Sequence, residues 1–245
     1  MMNIFKSLPA GIQLMREFRR YNKMAPEFEQ LRSEKRYEEE RELILKGTGT
    51  FLDSLQSKWH LKYDVKGEEN IPDQGPVLIV SNHQGYADIL MMYWAIRKFQ
   101  IGFIAKSEFQ GFKPLDRCIN YTRSIYIDRG DARSAIQTLN TASQMMKDGF
   151  SLVIFPEGTR SKGHEMGEFK PGSFKFAQKA KVPILPVTLD GSYHVFEEKG
   201  SFNNKEPLHV RIHPLVHYEQ MSRKEQNEAH LTVEQTIRDG LREFD

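Results

Sequence analysis

The sequence predicts an α/β fold: a mostly parallel central sheet flanked by helices, preceded by an N-terminal amphipathic helical module. Three observations lead there. From Ile71 onward, short apolar runs alternate with amphipathic stretches long enough to be helices, the texture of strands joined by crossover helices. Several runs are apolar throughout rather than alternating, as in strands covered on both faces. The residues before them carry helical periodicity and dense charge pairing, with no clear strand signal.

Residues 3–24 place Ile4, Leu8, Ile12, Met15 and Phe18 on one helical stripe, with the basic residues largely off it. Pro9 and Gly11 interrupt the stripe, so the helix is bent or starts late. Residues 26–45 open on Pro26 and are rich in oppositely charged i,i+4 pairs. The glycines of "GTGT" then break the pattern, and a further helix runs to about Trp59. The reading divides the chain into a helical module, 1–62, and an α/β domain, 63–245.

In that second part "PVLIVSN" (76–82), "IGFIAK" (101–106), "SIYID" (124–128), "SLVIF" (151–155), "PILPVTL" (183–189) and "LHVRIHPL" (208–215) read as strands. Helices are expected over 87–97, over 131–148 up to Gly149, and from Ser222 to Glu243.

Composition narrows the function classes. The chain has 245 residues, 39% hydrophobic and 28% charged, with a formal charge of +2, so no general affinity for nucleic acid is implied. The single cysteine, Cys118, excludes an internal disulfide and fits a reducing compartment. No apolar stretch approaches the roughly 20 residues of a membrane span, and the N-terminus lacks the features of a secretory signal. Residues 1–24 nevertheless carry Lys6, Arg16, Arg19, Arg20 and Lys23 against one acid, Glu17. The expected location is the cytoplasmic face of the cell membrane, as a peripheral protein held by the apolar stripe of residues 3–24 and its basic residues; the alternative is that the stripe simply packs on the core.

Open parallel sheets place their chemistry at the carboxyl ends of the strands. Those ends carry His83, Lys106, Arg129 and the run Pro156-Glu157-Gly158-Thr159-Arg160. His83 and Asp88, five residues apart, can form a dyad in which the carboxylate fixes the imidazole tautomer and the other ring nitrogen removes a proton. Spacing alone also allows a plain turn histidine and a carboxylate favoured by a helix N-terminus. In "FPEGTRS" (155–161), Pro156 and Gly158 force a turn off a buried strand and expose Glu157 and Arg160. An arginine fork suits phosphate; a solvated polar connection is the bland alternative. Three cations around a histidine suggest an anionic substrate such as a phosphate monoester. The remaining histidines show no metal-ligand spacing, and no G-x-S-x-G elbow marks a serine hydrolase.

"NHQGYAD", "RSIYIDR", "FPEGTRS" and "VPILPV" (182–187), in that order over roughly residues 65–215, resemble the lysophosphatidic acid acyltransferases of the bacterial PlsC type, in the glycerolipid acyltransferase superfamily. The resemblance implies that His83 is the general base and Asp88 its orienting partner. It implies Lys106, Arg129 and Arg160 as ligands of the acceptor phosphate, and Glu157 and Gly158 as the seat of its glycerol. Pro183 and Pro186 would shape the acyl-donor site. The implied reaction passes an acyl chain from acyl-CoA or acyl carrier protein to the sn-2 hydroxyl of 1-acylglycerol 3-phosphate, giving phosphatidic acid, with no metal and no cofactor beyond the thioester co-substrate. The implied partners are a membrane lipid surface, lysophosphatidic acid and the acyl donor. The second block departs from the family pattern: Arg123 stands where glycine is usual and Tyr126 where phenylalanine is. The departure puts an extra charge near the expected phosphate site. Gly85 stands where many relatives have serine. Two alternatives are a different lyso-lipid acceptor and a non-catalytic lipid-binding protein on the same fold; a phosphate-ester hydrolase is more remote.

Overall fold

Helices α1 (Leu8–Asn22), α2 (Ala25–Ser33) and α3 (Tyr37–Trp59) precede a sheet of seven strands in this computed structural model, which describes residues 8–107, 111–128 and 132–244. The chain continues through β1 (Lys62–Lys66), β2 (Leu78–Ser81), α4 (Asp88–Ala95), β3 (Ile101–Lys106), α5 (Lys113–Tyr121), β4 (Ile125–Ile127), α6 (Ala132–Lys147) and β5 (Ser151–Ile154). It closes with α7 (Lys175–Ala180), β6 (Ile184–Asp190), α8 (Tyr193–Phe196), β7 (Pro207–Ile212) and α9 (Arg223–Arg242). The strand order is β1-β7-β6-β2-β5-β3-β4, and every neighbouring pair is parallel except β6 with β7.

Every residue of β2, β5 and β6 is buried. These strands lie in the middle of the sheet, where helices cover both faces, so an unbroken apolar run is what burial demands. β7 alternates between buried and half-exposed residues. β1, sequence "KYDVK", lies at the edge beside β7 with no fully buried residue. Its polarity hid it from the sequence reading, because an edge strand needs no continuous apolar run. α5 was hidden too: only Cys118 and Tyr121 of its nine residues are buried. The expected final helix is present, and Ser222 closes its N-terminus with Glu225 in a reciprocal capping box.

The N-terminal boundaries differ from expectation. The break falls at Glu34–Arg36, and α3 runs straight through Gly47 and Gly49. Gly47 is there for space. A Cβ at this position would lie 2.8 Å from the Tyr21 ring, so a glycine lets α1 approach α3 closely. α1 buries Ala10, Leu14, Phe18 and Tyr21 against α3 and α5. Of the expected apolar stripe, Phe18 faces inward, Met15 is partly buried and Ile12 is exposed; Ile4 lies outside the described residues. The acid Glu17 is also buried, accepting from Ser54 Oγ at 2.7 Å. The outer face of α1 therefore carries Ile12, Arg16, Arg19 and Arg20, with Lys23 exposed just past its end.

The parallel order matters for chemistry because it sets the carboxyl ends of β2, β5, β3 and β4 side by side. His83 follows β2, the Pro156–Arg160 run follows β5, and Lys106 ends β3. Arg129, which follows β4 in the sequence, lies outside the described residues.

Candidate active site

Asp88 is the first residue of α4 and is fully buried. Its Oδ2 lies 2.6 Å from His83 Nδ1 and accepts the backbone N–H groups of Gln84 and Gly85 at 2.7 and 2.9 Å. One oxygen thus both folds the turn and orients the imidazole. A carboxylate accepts at Nδ1, so Nδ1 carries the proton and Nε2 keeps its lone pair. The His83 ring also lies on the ring of Phe155, centroids 4.0 Å apart and planes 11° from parallel. Asp88 Oδ1 is buried with no hydrogen-bond partner among the described residues.

The loop after β5 is tied to this turn at several points. Glu157 Oε1 accepts His83 N–H at 2.7 Å, and its Oε2 accepts Gly167 N–H at 2.8 Å. Ser161 N–H donates to His83 C=O at 2.8 Å and Lys162 N–H to Gln84 C=O at 3.0 Å. Gly158 makes the turn possible with φ of +77°, its N–H donating to Phe155 C=O. Burial raises the Glu157 pKa, opposed by the two backbone N–H groups and by His83. With both oxygens engaged, Glu157 is a brace between the two loops.

Arg160 comes to the same rim. Its guanidinium lies 3.7 Å from the centroid of the Tyr86 ring and donates from Nη1 to Glu197 Oε1 at 2.9 Å. Glu197, which ends α8, also accepts Tyr86 N–H at 2.9 Å. Burial, with a smaller push from Asp88, raises the Glu197 pKa against the pull of Tyr86 N–H and Arg160. Below the turn, the Asn82 side chain exchanges two 2.8 Å hydrogen bonds with the Leu189 backbone and fastens β2 to β6.

The structure thus brings together His83, Asp88, Glu157, Gly158 and Arg160, with Lys106 at the carboxyl end of β3 on the same side of the sheet. It does not bring Pro183 and Pro186 there. Pro183 precedes β6 and accepts Leu78 N–H at the amino end of β2; Pro186 is buried within the sheet opposite Val80. Arg123 does not add charge at the rim. It sits before β4, at the opposite end of the sheet, and grips the buried Glu40 through Nε at 2.8 Å and Nη2 at 2.5 Å. Its φ of +60° is a conformation that suits glycine. The ion pair and the Phe150 ring 4.7 Å away hold an arginine in it instead. The Tyr126 hydroxyl donates to Asp116 at 2.8 Å. Sequence reasoning missed Phe155 as the platform of the imidazole, and it missed Tyr86 and Glu197. Phe155 was visible only as the last residue of a strand; Glu197 stands in no motif.

Comparison with known proteins identifies the family. The Acyltransferase family model matches residues 62–190, more than half of the chain. A 1-acyl-sn-glycerol-3-phosphate acyltransferase of Borreliella burgdorferi is 34% identical over 157 residues, 64% of this chain and 62% of that one. The chloroplastic 1-acyl-sn-glycerol-3-phosphate acyltransferase BAT2 of Brassica napus is 35% identical over 159 residues, 64% of this chain and 45% of the other. This chain therefore spans less than two thirds of the length of these curated relatives. The crystal structure of the 1-acyl-sn-glycerophosphate (LPA) acyltransferase PlsC of Thermotoga maritima superposes with a TM-score of 0.70 at 27% identity, covering 95% of each chain. With a family match across the region that builds the His83–Asp88 turn, the chain belongs to the acyltransferase family, among its PlsC-type members.

Proposed function

We propose that this protein transfers an acyl chain from an acyl thioester, acyl-CoA or acyl carrier protein, to the sn-2 hydroxyl of 1-acylglycerol 3-phosphate, forming phosphatidic acid. The observation that carries the reading is the 2.6 Å contact of His83 Nδ1 with Asp88, made on the loop that is bonded to Ser161 beside Arg160. His83 Nε2 takes the hydroxyl proton as the oxygen attacks the thioester carbonyl; the C–S bond then breaks, and the imidazolium returns that proton to the departing thiolate. Asp88 stabilises the imidazolium that forms. Arg160, with Lys106 and Arg129, receives the phosphate; Gly158 sits beside the glycerol, while Glu157 holds the two loops together. The names of the curated relatives and of the Thermotoga protein support the choice of acceptor.

Among the described residues no helix is long and apolar enough to cross a membrane. In our reading the protein lies peripherally on an anionic, cytoplasm-facing membrane surface through the basic outer face of α1. Each lysine or arginine held near such a surface contributes about 1 kcal/mol. Because Leu14 and Phe18 face the core, charge contributes more to this attachment than insertion of an apolar stripe.

Mass spectrometry of products from purified protein given lysophosphatidic acid and mixed acyl thioesters tests the reading. Phosphatidic acid should form, and His83→Ala should lower the rate about 10²- to 10⁴-fold, as for loss of a general base. Products only from other lyso-lipids would change the acceptor, an undiminished rate in His83→Ala would remove His83 as the base, and no acyl transfer to any acceptor would leave a lipid-binding protein.

A further inference from the structure

Glu197 belongs to none of the sequence blocks that mark the site, yet it reaches two of them. Its Oε1 accepts both Arg160 Nη1 and Tyr86 N–H, each at 2.9 Å, so one atom joins the loop after β5 to the turn after His83. Its side chain is 6% exposed and that of Arg160 is 23% exposed. The guanidinium carbon lies over the Tyr86 ring, 3.7 Å from its centroid, and one corner of the fork donates to the carboxylate. An arginine fork has five donors, and Glu197 engages only one corner of it. As packing alone, a buried ion pair has no general advantage over apolar side chains of the same volume.

We infer that Glu197 is a positioning residue for acceptor recognition: it holds Arg160 in the orientation that receives the phosphate head-group. The inference rests on the assignment of Arg160 to that phosphate. A long side chain that is already ordered loses less freedom when the ligand arrives. Removing the hold should weaken binding of phosphate-bearing ligands about three- to tenfold, with no effect on ligands that lack the phosphate.

The test uses the full chain and two readouts. One is calorimetric binding of a single-chain, ether-linked glycerol phosphate, which needs no turnover. The other is steady-state kinetics with acceptor and donor varied separately. Glu197→Ala should weaken the phosphate amphiphile about three- to tenfold and raise the acceptor KM by the same factor. The donor KM, and binding of the matching amphiphile without phosphate, should stay as in the wild type. Glu197→Gln keeps an oxygen for both donors and should restore wild-type affinity to within about twofold, because the geometry survives. If Glu197→Ala does not fold, Glu197→Asp withdraws the oxygen by one methylene and must give the same phosphate-specific loss. Unchanged binding in these variants, equal losses for both amphiphiles, or Glu197→Gln as impaired as Glu197→Ala would each overturn the role of Glu197 alone. A wild-type protein that ignores the phosphate would sink the Arg160 assignment and this inference with it.

Discussion

The imidazole of His83 is stacked on the phenyl ring of Phe155, four ångströms between centroids and 11° from parallel. Phe155 is the first residue after β5 and is itself 7% exposed, so the base rests on the rigid sheet. Replacing it with leucine preserves most of the volume and should cost about 1 kcal/mol of stability. The ring would be free to tilt, and misplacement of a base by a fraction of an ångström should lower kcat about ten- to a hundredfold, with both KM values retained. Denaturant melts and steady-state kinetics on Phe155→Leu check this; an unchanged kcat would reduce the stack to packing.

The Asp88 carboxylate uses a single oxygen for all three of its described hydrogen bonds. An asparagine can place its carbonyl oxygen there and its amide at the unpartnered Oδ1 position. The turn and the tautomer would survive, and only the charge that stabilises the imidazolium would be lost. Asp88→Asn should therefore lower kcat about ten- to a hundredfold, the worth of one hydrogen bond to a charged group. Asp88→Ala, which also releases Gln84 and Gly85, should approach the loss seen in His83→Ala. Equal losses in Asp88→Asn and Asp88→Ala would contradict the single-oxygen account.

Arg123 and Arg160 look alike in sequence and should part company in mutants. Arg123→Ala leaves the fully buried Glu40 with Arg32, whose Nε lies 2.6 Å away, so about 2–3 kcal/mol of stability should be lost, less than for a buried carboxylate stripped of every partner. For a chain of this size that is a fall of about 4–12 °C in Tm, with the acceptor KM unchanged in the folded enzyme. Arg160→Ala should do the opposite, raising the acceptor KM at least tenfold, as for loss of a charge-assisted hydrogen bond, with a smaller effect on Tm. Calorimetry paired with kinetics on the two variants separates them.

His213 should leave a mark on the acid limb of stability. It lies between β7 and α9, its Nε2 2.8 Å from Thr188 Oγ1. Burial first, then the charge of Arg211, lowers its pKa from 6.5 to about 4. The unfolded chain therefore takes up this proton before the folded one. The stability it contributes is complete above pH 6.5 and drains away as the pH falls toward 4, by up to about 3 kcal/mol. Urea unfolding at pH 7 and pH 4.5 measures the drop. His213→Gln should flatten it, and an identical drop in the variant would assign the acid sensitivity elsewhere.

What could be read from the sequence is what physics writes locally. β2, β5 and β6 are buried on both faces, so their residues are apolar in unbroken runs, and the polar residues that end them stand out at once. His83, Asp88 and Arg160 were found for that reason. β1 was not, because an edge strand is free to be polar. α3 was cut in two because a glycine admitted for close packing looks in sequence like a glycine that ends a helix. The charge of Arg123 is expected near the phosphate site and is not there, since nothing near it in sequence reveals that its partner is Glu40, 83 residues earlier. Glu197 was out of reach for the same reason: it meets Tyr86 across 111 positions of chain.

The missing side chain at Gly85 ties two distant positions to a common history. A methyl group there would lie 2.7 Å from Glu197 Oε2, closer than such carbons come, and 3.1 Å from the Ser192 carbonyl oxygen, a tight contact. A lineage that acquires serine or alanine at position 85 must therefore shift the Glu197 carboxylate or change the residue. Descendants of this chain are expected to change these two sites as a pair.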